Sequence, residues 1–174
     1  MSSETPVVGI LMGSDNDYDI MVEAAKILKH FEVPFEMIVS SAHRTPDRTN
    51  EYVRGARDKG IKVLIAGAGA AAHLAGVVAA ETNLPVIAVP IDATSMRGLD
   101  ALLAMVQMPA GIPVATMAIG SAGARNAGIF AARILATEDS ALEARLLDFK
   151  QDMAAGVIEK SARVQEKMLA DGLI

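Results

Sequence analysis

The 174 residues carry 16 Lys and Arg against 21 Asp and Glu, a net charge of −5, with 52% hydrophobic and only 3% aromatic side chains. A nucleic-acid partner is excluded by the scattered basic residues and the scarcity of stacking platforms. There is no cysteine for a disulfide, thiolate nucleophile or cysteine metal site, no apolar run long enough for a bilayer, and no basic-then-apolar leader in residues 1–6, so a cytoplasmic enzyme is expected.

The length suits a single domain over residues 1–174, with a core at 6–137. Residues 6–12 (PVVGILM) form the first apolar run, and Ile20, Met21, Ala24, Leu28 and Phe31 follow at helical spacing. His30 ends that amphipathic helix and receives no role. Residues 35–41 (FEMIVSS) form the second run, and Pro46 is placed to open the next helix at its first turn. Residues 62–67 (KVLIAG) lead into an Ala-rich helix after His73. Residues 85–91 (PVIAVPI) precede a helix over 99–106, and residues 114–120 (VATMAIG) precede one over 122–136.

Five β-branched, apolar runs separated by helices predict βαβ units. The expected fold class is α/β: a three-layer αβα sandwich with a five-stranded parallel sheet of flavodoxin or Rossmann type and right-handed crossovers. Residues 138–172 have no strand to pair with. Leu142, Leu146, Phe149, Met153, Val157, Val164 and Met168 recur there at spacings of three, four or seven among many charges. That pattern predicts a long amphipathic helix, packed on its own domain or on another subunit.

Ligands on parallel sheets bind beyond the carboxyl ends of the strands, and the polar motifs fall there. Gly13-Ser14-Asp15-Asn16-Asp17 follows the first run. Gly permits a tight turn, while Ser, Asn and Asp cap helices, and the free N–H groups of a helix start also bind phosphate. No lysine accompanies it, so it is not a triphosphate P-loop. Ser41, His43 and Arg44 follow the second run. A guanidinium fork matches phosphate, and a nearby imidazole can take and return a proton near neutrality. Together these strand ends predict a site for an anionic small molecule with a proton-transfer group.

Gly67-Ala68-Gly69-Ala70-Ala71-Ala72-His73 follows the third run. It fits a dinucleotide fingerprint, with Asp92 at ribose distance, so a dinucleotide-binding oxidoreductase is an alternative. The same loop can offer backbone N–H groups to a carboxylate. The fingerprint normally occupies the first βα turn, and here two units precede it. His73 either points into the site or caps and packs. His43 and His73 lack zinc spacing, so no metal is expected, and no G-x-S-x-G elbow signals a serine triad.

In this order the motifs resemble the PurE family of purine-biosynthesis enzymes. The resemblance runs from about Val8 to Leu135. It rests on Gly13-Ser14 followed by Asp, Val39-Ser40-Ser41-Ala42-His43-Arg44-Thr45-Pro46-Asp47, the I-A-G-A-G before A-A-H-L, Val106-Gln107-Met108-Pro109, Gly111-Ile112-Pro113-Val114 and Ala118-Ile119-Gly120.

The resemblance implies interconversion of 5-(carboxyamino)imidazole ribonucleotide and 4-carboxy-5-aminoimidazole ribonucleotide, without cofactor or metal, in a homo-octamer with sites between subunits. His43-Arg44 and Ala71-Ala72-His73-Leu74 are similar to the mutase class; direct carboxylation of the aminoimidazole with carbon dioxide is the alternative. The implied roles are His43 as acid and base, Ser14, Asn16 and Arg44 on phosphate, and Asp17 on ribose. Ser41 and His73 join the substrate site, and backbone N–H groups of Ala68, Gly69, Ala70 and Ala71 hold the carboxylate. The chain departs from the family at Asn16 (usually Ser), Ala70 (usually Gly) and Ala75 (usually Pro). An alanine that takes a left-handed backbone at position 70 is expected to cost about 1 kcal/mol.

Overall fold

The computed structural model describes residues 5–174; Met1 to Glu4, part of the segment read as lacking a leader, lie outside them. Five strands, β1 (Val8–Met12), β2 (Phe35–Val39), β3 (Val63–Gly69), β4 (Val86–Ile91) and β5 (Ala115–Thr116), form one parallel sheet in the order β2-β1-β3-β4-β5. Alternating with them are α1 (Tyr18–His30), α2 (Pro46–Gly55), α3 (Leu74–Ala80), α4 (Leu99–Val106) and α5 (Ser121–Ala136), and α6 (Ser140–Ala170) ends the chain. This is the flavodoxin-like order, with its switch point between β1 and β3.

The apolar runs become strands because both sheet faces are covered. β1 and β4 are buried along their whole length and β3 in all but its last residue, whereas the edge strands β2 and β5 are only partly buried. One face carries Leu11, Leu64, Ala66, Val86 and Ala88 against Tyr52 and Val53 of α2, Leu74 and Val78 of α3, and Ala101 and Met105 of α4. The other face carries α1 and α5. A Cβ at Gly67 would strike the Met21 thioether, and one at Gly128 would lie 2.8 Å from the Ala24 carbonyl oxygen. The strand order reverses after β2, and a constant crossover hand then puts α1 opposite α2, α3 and α4.

Several element limits differ from the sequence expectation, β1 among them, which starts at Val8 and not at residue 6. β2 stops at Val39 because Ser41 turns its backbone onto Thr45: the Ser41 N–H donates to Thr45 Oγ1 at 3.1 Å, and the Thr45 N–H donates to the Ser41 carbonyl at 2.8 Å. β3 runs on to Gly69 because Ala68 and Gly69 pair with Pro90 and Ile91. β5 shrinks from the expected 114–120 to Ala115–Thr116. Its neighbour β4 offers the carbonyls of Ala88 and Pro90 to Met117 and Gly120, both at 2.9 Å, but Pro90 has no N–H to return toward that edge.

The described residues form two compact units, one ending at Leu135 and the other running from Ala136 to Ile174. The second is essentially α6, capped by Asp139, whose carboxylate accepts the Leu142 N–H at 2.9 Å. Of its apolar series Leu142 is buried, and Met153, Val157 and Val164 are exposed.

Candidate active site at the β1–β3 switch point

Three loops meet beyond the carboxyl ends of β1, β2 and β3 and enclose a cavity of about 390 Å³. The first begins with Gly13, whose N–H donates to the Gly67 carbonyl at 3.2 Å and so closes the turn against β3. Ser14 and Asp17 then cap a single 3-10 turn, Asp15–Asp17, that leads into α1. The Ser14 N–H donates to Asp17 Oδ2 at 3.0 Å, and Ser14 Oγ accepts the Asn16 N–H at 3.3 Å while donating to Asp15 Oδ1 at 3.1 Å. Ser14 and Asp17 therefore cap the turn while lining the cavity. Asp17 is only 7% exposed. Burial raises its pKa above the ordinary 3.8, opposed by the N–H groups of Ser14 and Gly13 and by the Arg44 charge.

The second loop carries Ser41, Ala42, His43 and Arg44. Thr45 locks its base, because its Oγ1 also donates to the Ser41 carbonyl at 3.0 Å, and Pro46 opens α2 where a missing N–H costs nothing. Ser41 Oγ accepts the Arg44 N–H at 3.2 Å. The Arg44 guanidinium reaches across to donate to the Gly13 carbonyl at 3.1 Å, tying the ends of β1 and β2 together. Arg44 remains exposed, with its charge over the cavity beside Asp17.

The third loop joins β3 to α3. Gly67, Ala68 and Gly69, expected in a loop, lie inside β3, and their glycines serve packing. Gly67 makes room for Met21, and a Cβ on Gly69 would come within 2.5 Å of Ala93 Cβ. This removes the phosphate-loop reading of the fingerprint, since its first glycines are paired strand residues. Ala70 stands at φ 52°, in the left-handed region, at a cost of about 1 kcal/mol for a residue with a Cβ. His73 is the N-cap residue of α3, and its ring meets that of His43. His43 Nε2 and His73 Nδ1 are 2.9 Å apart, with the rings edge-to-face at 88°. One nitrogen must donate and the other accept, so the contact holds one proton between two imidazoles.

All the predicted residues thus gather at one place. Ser14, Asn16, Asp17, Ser41, His43, Arg44, Ala68, Gly69, Ala70 and Ala71 line the cavity, and His73 reaches it through His43. The sequence reading passed over Gly13, Ala42, Leu74 and Ala93 as wall residues. Ala93 was detectable in principle, because it follows the fourth apolar run and so belongs to a strand end. The departure at Ala75 is benign: it is the second residue of α3, where a proline has no intrahelical bond to forfeit. Among the described residues no three His, Asp or Glu side chains are grouped to hold a metal, and no helix is long and apolar enough to cross a membrane.

The fold and the cavity define the class: a flavodoxin-like α/β protein with a guanidinium and a proton-sharing imidazole pair at its switch point. Residues 7–156 match the AIR carboxylase family. The chain is 52% identical over 166 residues to the N5-carboxyaminoimidazole ribonucleotide mutase of Pyrococcus horikoshii, covering 95% of this chain and 93% of the relative. It is 52% identical over 156 residues to the protein of the same name from Bacillus subtilis, covering 90% and 96%. The crystal structure of Treponema denticola PurE is similar at a TM-score of 0.82 with 28% identity, over 91% of this chain and 98% of that one. The chain belongs to the AIR carboxylase family, the one its motifs resemble.

Proposed function

We propose that the protein is a carboxylate mutase of purine biosynthesis. It converts 5-(carboxyamino)imidazole ribonucleotide into 4-carboxy-5-aminoimidazole ribonucleotide at the β1–β3 cavity. The observation that carries this reading is the 2.9 Å contact of His43 with His73 beside Arg44, a proton-transfer pair next to an anion anchor.

In this reading Arg44 and Ser14 hold the substrate phosphate, Asn16 adds an amide, and Asp17 accepts from the ribose. Arg44 exchanges its bond to the Gly13 carbonyl for the stronger charge-assisted pair with phosphate. Backbone N–H groups of the 68–71 segment hold the carboxylate. His43 gives a proton to the exocyclic nitrogen as the N–C bond of the carbamate breaks, which leaves an amine and carbon dioxide. The ring carbon attacks that carbon dioxide, and His43 removes the ring proton to restore aromaticity, so it ends in its starting state. His73, hydrogen-bonded to His43, holds the imidazole in one orientation and tautomer throughout. The small apolar side chains of Ala42, Ala70, Ala71, Leu74 and Ala93 keep the carbon dioxide against the ring, where proximity substitutes for concentration. The working form is a cytoplasmic homo-octamer in which α6 provides an oligomerisation helix. The exposed Met153, Val157 and Val164 along that helix support association.

The test is to supply the carboxyamino ribonucleotide in carbon-dioxide-depleted buffer and follow the 4-carboxy product. Stoichiometric conversion is expected. Conversion only from aminoimidazole ribonucleotide plus bicarbonate would replace the mutase with a carboxylase.

A further inference from the structure

We infer that Ala70 is a positioning residue whose left-handed backbone sets the 71–73 turn and thereby holds the His73 ring against His43. The inference rests on the proposed role of His43 as the proton-transfer group.

The connection it governs is short and pinned at both ends. Gly69 pairs with Ile91 in the sheet and is wedged against Ala93, with no space for a Cβ, so the chain before Ala70 is fixed in position by the sheet. Ala72 and Leu74 are buried, so the chain after it is equally committed. Between these anchors the His73 N–H donates to the Ala71 carbonyl at 2.9 Å, closing a tight turn that carries the imidazole. Ala70, at φ 52°, supplies the change of direction that starts this turn. Among the described residues the other non-glycine positive φ values fall at Glu32, just past α1, and at Arg97, before Gly98 and α4; Ala70 is the one that lines the cavity. Strain of this kind persists where the surroundings over-determine the backbone, and here what is determined is the site of an imidazole. A negative φ at residue 70 would redirect Ala71 and carry the His73 ring away from its 2.9 Å contact.

The inference separates backbone handedness from side-chain bulk. Asn tolerates the left-handed region and Val does not, although both are larger than Ala. The chain has three histidines, so selective ¹⁵N-histidine labelling resolves the ring nitrogens and reports whether His43 and His73 share a proton. Ala70→Asn is expected to keep that signature, whereas Ala70→Val loses it. In Ala70→Val kcat falls by about tenfold to a hundredfold, as misplacement of an acid–base group does, with a smaller change in KM. Ala70→Gly keeps the signature and, with the strain relieved, unfolds about 2 °C higher. Retention of both the ring signature and kcat in Ala70→Val overturns the inference. If the valine variant does not fold, an Ala70→Gly midpoint at or below that of the wild type overturns it instead, because any strain would then be no larger than the entropy a glycine adds to the unfolded chain. The ring signature needs no substrate, so it can fail or hold independently of whether the wild type converts the carboxyamino ribonucleotide.

Discussion

Two cavities lie at opposite ends of the same sheet, and the larger one is the less equipped. The cavity at the amino ends of β4 and β5 measures about 590 Å³ and is walled by Leu84, Pro85, Val86, Ile112 and Pro113, with Glu81, Thr82 and Asn83 at the end of α3. The cavity at the carboxyl ends of β1 and β3 measures about 390 Å³ and holds His43, Arg44, Ser14 and Asp17. Volume does not separate them; chain polarity does. In a parallel sheet every strand leads into the start of a helix at one end, where free N–H groups attract anions, and helix ends present carbonyls at the other. The cavity at the carboxyl end is lined by Arg44 and His43, whereas that at the amino end has no Lys, Arg or His in its wall.

The largest effect is expected at His43, the proposed proton-transfer group. His43→Asn should lower turnover by about 10²- to 10⁴-fold while substrate still binds, measured by product formation alongside calorimetric titration. Near wild-type turnover would take His43 out of the proton-transfer role. Next comes the anion anchor: Arg44→Ala should weaken substrate binding by about 1.5–3 kcal/mol, the value of a hydrogen bond to a charged group. Unchanged affinity would take Arg44 out of the phosphate site.

A smaller effect concerns the buried carboxylate. Because burial raises the Asp17 pKa, the folded protein holds that proton more tightly than the unfolded chain. Its contribution to stability is therefore present below the ordinary 3.8 and lost as pH rises through the raised value. Urea midpoints of wild type and Asp17→Asn, taken from about pH 3 to pH 6, should show the wild type losing ground to the variant as pH increases. A constant difference would mean that the carboxylate is not desolvated. The least effect belongs to the other cavity: Asn83→Ala, at an exposed position, should change stability by no more than about 0.5 kcal/mol and leave affinity as it was. A measurable loss of substrate binding there would reverse the assignment of the two ends.

The sheet was legible because burial on both faces demands continuous apolar runs, and β1, β3 and β4 have them. Errors gathered where backbone partners, not side-chain hydropathy, decide the limits. β5 reads as a seven-residue run, 114–120, yet Pro90 on its neighbour cannot donate, so only Ala115 and Thr116 remain in the ladder. Gly67 and Gly69 read as a loop because glycine is a local turn signal, while the demand that placed them came from Met21 and Ala93 across the fold.

Local order in the chain, then, determined the alternation of strands and helices and put each polar motif at a strand end, because hydrophobic period and capping chemistry act over a few residues. Tertiary structure alone decided that His73 meets His43 across thirty positions of chain, that Arg44 spans to the Gly13 carbonyl, and that Ala70 is held left-handed. Those outcomes depend on distances between neighbouring strand ends and on anchors such as Gly69 against Ala93, and a sequence records neither until the sheet has brought them together.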